Sequence, residues 1–418
     1  MSRNLKTEVL VVGAGPTGMF TALLLAEAGV RVTLIDREDR PAAHSYACGL
    51  HPYSLKLLDQ AGLLPAVQKG ARKLERMAAY SDSGREVELS FAALPATHPF
   101  VLVLPQNVLE TLLAERITAR GGQVLWRQRL SALQPRPDGV FAEVDQLVGT
   151  GTGSAVPRWE LVVGHTTEVV ADYAVGADGH ESLVRRLLDI ECDYLATPEL
   201  YVVYEFEPES PLPDELGVVV AEQRKSVLWP LPGGRCRWSF QMAGTDDTEF
   251  AEKDRNPTWV EPATLAQRTR ERLEKRLQLR APWFDPGIRT VDWAVDIQFQ
   301  NRLARHYGRD RCWLVGDAAH QAAPAGIQSM NVGLREAAEL AGILIRLLKG
   351  DGSADLLEDY ERKFRSEWLT LLGAQGTLSA DPDAKPWVKA HAKHLLSSLP
   401  ASGEDLTALL RQIGLTLA

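Results

Sequence analysis

Residues 7–36, TEVLVVGAGPTGMFTALLLAEAGVRVTLID, constrain this chain more than any other stretch. They read as strand, glycine turn, helix, strand. Residues 8–12 are a short apolar run rich in Val, and Gly13, Gly15 and Gly18 follow at G-x-G-x-x-G spacing. Each glycine has a physical use. Gly13 permits the tight turn, Gly15 lets backbone approach a pyrophosphate, and Gly18 lets the helix pack against the strand. The spacing predicts a helix over 16–28, stopped by Gly29, and a second strand over 30–35 closed by Asp36. The helix N-terminus offers free N–H groups and a positive end to a diphosphate. Asp36 stands near the offset of about 20 residues at which a carboxylate takes ribose hydroxyls, and it would repel a 2′-phosphate. The turn therefore predicts an ADP-containing cofactor, FAD or NAD rather than NADP.

A chain of 418 residues with 45% hydrophobic content is too long for one simple core, so two domains are expected. Its net charge is -9 and its pI about 5.6, with no basic runs, which argues against nucleic acid as a partner. Cys48, Cys192, Cys236 and Cys312 show no C-x-x-C spacing, so neither a zinc site nor a redox dithiol is indicated. The sequence reads as a cytoplasmic protein with reduced thiols, no bound metal and no membrane association. No apolar run reaches the roughly 18 residues that span a bilayer. Arg3 and Lys6 before an apolar segment superficially mimic a signal peptide, but the glycine turn interrupts that segment.

Further along, 52–61 reads as a helix stopped by Gly62. Residues 74–89 read as a hairpin turning at Asp82-Ser83-Gly84, and 101–104 as a strand leading into Pro105-Gln106-Asn107 and a helix over 108–120. A strand is expected over 123–127. Segments 139–148, 158–163 and 168–174 suggest a three-stranded meander, with TGTGS at 150–154 as a loop. The last strand runs into Gly176-Ala177-Asp178-Gly179 and a short helix, which places backbone amides and an Asp at a strand's C-terminal end. Ligands sit there in open α/β sheets. Strands are expected over 201–207, 218–222, 226–230 and 235–242. Trp238, Phe240 and Met242 share one strand face, with Trp229 on the adjacent strand; they are either sheet core or the wall of an apolar cavity. An amphipathic helix over 264–279 would cover that sheet. Residues 290–300 form another strand with Val291, Trp293, Val295, Ile297 and Phe299 on one face. A buried strand then ends in Gly316-Asp317, and helices over 330–348 and 356–372 follow, with a helical tail over 386–418.

Three separated motifs, GAGPTG, GADGHESLVRR and VGDAAHQAAPAGIQSMNVG, occur in that order, with LPQNVLETLL between the first two. Together they resemble the FAD-dependent aromatic hydroxylases, single-component flavoprotein monooxygenases with the para-hydroxybenzoate hydroxylase fold. The resemblance covers roughly residues 7–372. It implies an α/β architecture: a discontinuous Rossmann-like FAD-binding domain (1–75, 100–190 and 290–372), a β-sheet substrate domain (76–99 and 191–289) and a C-terminal helical tail (373–418).

The resemblance also assigns roles. Gly13, Gly15, Gly18 and Asp36, with Pro16, Thr17 and Arg37, would hold the ADP half of non-covalent FAD. Gln106 would contact the flavin side. Asp178 and Gly179 would lie near the pyrophosphate and the docking place of NADPH or NADH. Asp317 would take the ribityl or pyrophosphate region. Backbone from Gly326 to Asn331, with Pro324, Ser329 and Met330, would face the pyrimidine edge of the flavin, where a helix N-terminus stabilises negative charge. His320 reads as a structural hydrogen-bonding residue. Departures from the family pattern are Ile327 and Ser329 where glycines are usual, Glu336 where Asp is common, and Tyr46 and Tyr53 where many members have Arg. A positive φ at Ile327 or Ser329 would cost about 1–2 kcal/mol, and Ile327 would narrow the space beside the isoalloxazine.

The implied chemistry is reduction of FAD by NADPH or NADH, addition of O2 at flavin C4a, and delivery of one oxygen from the hydroperoxide to an aromatic or polycyclic small molecule, as in secondary metabolism. The cofactor carries the reaction, so no protein catalytic residue is named. Two alternatives stand beside it: an FAD oxidoreductase without oxygen insertion, and a low-turnover flavin- or substrate-binding protein. A halogenase reading would need a W-x-W-x-I-P tract, which is absent. The chain is expected to act as a monomer or homodimer.

Overall fold

The computed structural model describes residues 3–39, 49–152, 158–243 and 262–418. Tyr46 and Cys48 lie outside the described residues.

The first strand, Val9–Val12, sits in the middle of a six-stranded sheet. Val9, Leu10 and Val11 are fully buried, which an all-apolar run requires of a strand covered on both faces. Each such side chain contributes about 1.5–3 kcal/mol of burial. Val32–Ile35 and Tyr173–Gly176 flank it in parallel, and Cys312–Leu314 pairs in parallel with Tyr173–Gly176. These strands all run the same way, so the loops that follow Val12, Gly176 and Leu314 emerge together at the sheet's carboxyl edge. Sheet order thus brings three motifs separated by more than a hundred residues to one place. Helix Pro16–Glu27 packs below Val9–Val12, and helix Gln328–Leu348 packs against that helix.

The second large sheet has seven strands, in the order Ile288–Phe299, Glu199–Pro208, Cys236–Gln241, Arg224–Pro230, Glu215–Ala221, Arg76–Ser81, Gly84–Ser90. The sheet separates two environments. Tyr204, Phe206, Leu228, Trp238 and Phe240 form a separate core with Leu273 and Leu277 of helix Pro262–Arg280. The aromatic run at Trp238, Phe240 and Met242 is therefore sheet core. Trp229 pairs with Arg237 and so lies on the opposite face.

Several local expectations are corrected. Residues 158–174 are not two strands of one meander: Arg158–Ala171 is a single long strand, and Tyr173–Gly176 leaves for the six-stranded sheet. The antiparallel partners of Arg158–Ala171 are Gly139–Thr152 and, beyond it, Gln128–Arg136; Thr150–Thr152 is strand, not loop. Arg3–Lys6 adds a parallel edge strand to this sheet. Val291 does not share a face with Trp293. A register shift places Val291 opposite Phe206 and Trp293 opposite Glu205, so Val291 joins the aromatic core. The strand Ile288–Phe299 belongs wholly to the seven-stranded sheet, so that sheet runs past residue 289.

The C-terminal region is more than a helical tail. Helices Pro386–Leu396 and Gly403–Gln412 bury Val388, Leu395, Leu409 and Leu410 in the same core as Val9. Strand Leu415–Leu417 pairs with Leu378–Ala380. Gln412 donates to and accepts from the backbone of Ser90, both at 2.9 Å, which pins the second helix to the outer strand of the large sheet.

Candidate FAD and substrate site

The three loops meet at a cavity of about 270 Å³. Gly15, Pro16 and Thr17 enter it from the first loop, Ala177 and Gly179 from the second, and Val315 and Asp317 from the third. Gln106, Pro324, Ser329 and Met330 complete the sequence-expected part of the wall.

The glycines differ in what they do. A side chain on Gly13, at φ 105°, would run into the carbonyl of Ala177, and one on Gly18 would run into the carbonyl of Gly13. Both are packing glycines. A Cβ on Gly15 would instead meet nothing within 4 Å. Its freedom serves the open space in front of the helix, where a ligand can approach. Asp36 stands at the end of the second strand and accepts from the backbone N of Ala14 at 2.5 Å and of Glu38 at 2.8 Å, bracing the turn; Arg37 is exposed and pairs with Glu38. Neither lines the cavity.

Asp178 is close to the turn, because its Cα abuts Gly13. Its carboxylate, however, faces the next helix. It accepts from Ser182 Oγ at 2.5 Å and from the backbone N of Leu183 and Val184 at 2.7 and 3.0 Å. Burial holds its pKa above the usual carboxylate range despite those donors. Asp178 organises the second loop, while Gly179 is the residue that lines the cavity. Asp317 behaves differently: it lines the cavity, no donor among the described residues bonds its carboxylate, and burial raises its pKa.

The expected flavin loop splits in the same way. Pro324, Ser329 and Met330 line the cavity. Gly326 and Asn331 do not. A Cβ on Gly326 would press on the backbone of Leu399 and Ser397. The amide of Asn331 accepts from His51 N and Ser54 Oγ, and donates to the carbonyls of Gly49 and Ile327, so it ties the loop to residues 49–54. Beside it, His51 is fully buried with Nε2 2.8 Å from Gly326 O, and burial brings its pKa down to about 3.

Ile327 adopts φ 48° and ψ 42°, the left-handed region. This is the strained arrangement a glycine would avoid, costing about 1–2 kcal/mol. Its side chain is 8% exposed and lines the cavity, and a Cβ built on Gly49 would lie 2.8 Å from Trp229 and 3.2 Å from Ile327. Ile327, Gly49 and Trp229 therefore converge. Ser329 needs no such strain; it sits in the helix and accepts from Ala322 N at 3.2 Å. Phe299, Gln321, Ala322, Ala323 and Gln328 also line the cavity. Gln328 falls in the expected 326–331 stretch, while the other four had no expected site role because sheet and loop packing, not spacing, brings them to the wall. Tyr53 carries the guanidinium of Arg335 5.0 Å from its ring centre, so a cation is present beside it.

The cavity fits a dinucleotide on two independent grounds. Helices Pro16–Glu27 and Gln328–Leu348 both start at its wall, and neither has a side-chain cap or an acidic residue in its first turn. Their leading N–H groups need an acceptor from elsewhere. Asp317 on the cavity wall takes no hydrogen bond from the described residues and is suited to accept from hydroxyl groups such as those of a ribityl chain.

The family described as FAD binding domain matches residues 6–368. The chain belongs to this family, within its FAD-dependent aromatic hydroxylases. It is 29% identical over 360 residues to a rifampicin monooxygenase of Rhodococcus hoagii, covering 86% of this chain and 68% of that protein. It is 30% identical over 397 residues to the 12-dehydrotetracycline 5-monooxygenase/anhydrotetracycline 6-monooxygenase of Streptomyces rimosus, covering 91% and 71%. It spans only 58% of the 6-methylpretetramide 4-monooxygenase of the same organism. Among solved structures, p-nitrophenol 4-monooxygenase from Pseudomonas putida superposes with a TM-score of 0.73 at 22% identity, over 98% of this chain and 97% of that one. Among the described residues no helix is long and apolar enough to cross a membrane.

Proposed function

We propose that this protein is an FAD-dependent monooxygenase that uses NADPH or NADH and O2 to oxygenate an aromatic or polycyclic small molecule. The observation that carries the reading is the meeting on one cavity of two uncapped helix N-termini and Asp317, whose carboxylate takes no hydrogen bond from the described residues. Gly15, Pro16 and Thr17 would hold the pyrophosphate of FAD at the first helix. Asp317 would accept from its ribityl hydroxyls. The amides at the start of Gln328–Leu348 would face the pyrimidine edge. Bound FAD would supply the redox chemistry and oxygen activation. The chain's own residues orient it and exclude water: Phe299, Val315, Ala177 and Ile327 give the cavity apolar walls. The relatives named as rifampicin and anhydrotetracycline monooxygenases support a polycyclic substrate.

The test is the visible spectrum of the purified protein, with the released cofactor identified, followed by NAD(P)H oxidation with and without aromatic compounds. Flavin bands from FAD near unit occupancy, and oxidation stimulated by an aromatic compound with transfer of labelled oxygen, are expected. A colourless protein that FAD cannot restore would overturn the reading. Retained FAD without oxygen transfer would move it to an oxidoreductase of another kind.

A further inference from the structure

A second chamber of about 800 Å³ lies on the other side of loop residues Ala322 and Ala323, which line both cavities together with Gln328. Its remaining walls are the face of the large sheet opposite the aromatic core, the end of helix Asp355–Leu371, and helix Pro386–Leu396. The size is that of a small-molecule site. Trp368, Leu371 and Leu396 give it apolar surface.

We propose that this chamber takes the substrate, and that Lys225 receives an ionised oxygen of that substrate, a carboxylate or an acidic phenol. The substrate role rests on the monooxygenase reading; the anion preference rests on the chamber alone.

Lys225 is 5% exposed on strand Arg224–Pro230 and lines the chamber. Its ammonium contacts Ser397 Oγ at 3.2 Å and Glu199 Oε2 at 3.4 Å. Glu199 is the chamber's single acidic residue among the described ones, and it is already heavily engaged. Asn301 Nδ2 donates to it at 2.9 Å, Gln241 Nε2 at 2.7 Å and Tyr201 Oη at 3.1 Å. A carboxylate shared among so many donors neutralises a buried ammonium only in part, and an ammonium has three protons to place. Lys393 and Lys389, whose ammonium donates to the carbonyl of Pro382, add two further positive charges to the wall. Burial keeps the pKa of His394 below its ordinary range, so it contributes no charge near neutral pH. Three lysines against one committed carboxylate make a positive chamber in a chain whose net charge is -9. A field of that sign, opposite to the whole molecule's, selects an anion.

The same residues link the chamber to the cofactor cavity. Asn301 donates to Glu199 and accepts from Ala323 N at 3.2 Å, and Ala323 lines both spaces. A ring whose charged end rests at Lys225 therefore has the flavin loop as its neighbour.

The experiment titrates the purified protein calorimetrically, with FAD added, with three probes near neutral pH: naphthoate, its neutral isostere naphthamide, and a nitronaphthol that ionises in that range. Naphthoate is expected to bind about tenfold or more tightly than naphthamide. If the nitronaphthol shares the preference, the anion taken is the phenolate as well as the carboxylate; if it does not, the site is for carboxylates. Lys225→Met should erase the difference between naphthoate and naphthamide while leaving naphthamide binding within about twofold. The exposed pair Lys389→Gln and Lys393→Gln, which cannot unfold the chain through burial, should reduce naphthoate affinity severalfold. Equal binding of the two isosteres, no binding of either, or a preference untouched by all three substitutions overturns the proposal. Failure of the monooxygenase reading would show separately, as absent FAD or absent oxygen transfer with the naphthoate preference intact.

Discussion

Glu336 Oε2 lies 2.8 Å from His320 Nε2 and 2.8 Å from the backbone N of Gly316, with both side chains completely buried. Its other oxygen accepts from Trp368 Nε1 at 3.1 Å and Tyr307 Oη at 3.4 Å. The His320 ring also stacks on Trp368 at 4.0 Å. One carboxylate thus fixes both ends of the turn that presents Asp317.

Glu336→Gln removes the charge from an acceptor that Gly316 N and Trp368 Nε1 can only donate to. It is expected to lower unfolding free energy by about 1–3 kcal/mol, because hydrogen bonds to a charged acceptor are stronger than those to an amide. FAD content should fall with it, as the Gly316–Ala318 turn loses its anchor. Denaturant titration and the flavin-to-protein absorbance ratio check both. Unchanged stability would remove Glu336 from this role.

Ile327 inverts a usual order. Truncation to Ala keeps the left-handed backbone with a Cβ, while truncation to Gly relieves it. Ile327→Gly is expected to be more stable than Ile327→Ala by about 1 kcal/mol, although Gly ordinarily loses to Ala. Urea midpoints of the two variants decide it, and a lower midpoint for the glycine variant contradicts the backbone argument.

Gly15 and Gly18 separate ligand binding from folding. Gly15 has φ -74° and open space where a side chain would point, so Gly15→Val should keep its melting temperature while losing bound FAD. Gly18→Val would collide with the backbone of Gly13 and should fail to fold or melt far lower. Thermal scans with cofactor content measured on the same samples distinguish the two.

His51 makes stability depend on pH. It is neutral when buried, with a pKa of about 3 against about 6.5 when unfolded. The unfolded chain therefore binds the extra proton as pH falls below about 6.5, and stability drops by about 1.4 kcal/mol per unit through that window. His51→Gln, which can still donate to Gly326 O, should flatten the dependence by that amount. Parallel slopes for the two proteins between neutral and mildly acidic pH would contradict it.

The fold class was legible because the signals that carry it are local. Gly13, Gly15 and Gly18 carry their conformational demands in their spacing, and Val9–Val12 shows its burial in its composition. What sequence reading missed is set by pairing across the chain. The register shift that turns Val291 away from Trp293 depends on Glu199–Pro208. The carboxylate of Asp178 faces helix Leu183–Leu187 instead of the cavity, and Asn331 spends its amide on Gly49, His51, Ser54 and Ile327. A motif gives a residue's neighbourhood; the direction of its side chain comes from partners that the motif does not contain.

The large sheet buries both of its faces, and this has a consequence for how the protein can change. Along strand Cys236–Gln241, Trp238 and Phe240 hold the aromatic core while Gln241 lines the chamber and Ser239 shares its face. Along Arg224–Pro230, Leu228 belongs to that core while Lys225 lines the chamber. Neighbouring positions on these strands therefore face different environments. Substitutions at Lys225 and Gln241 would alter the chamber wall while Leu228, Trp238 and Phe240 keep the aromatic core.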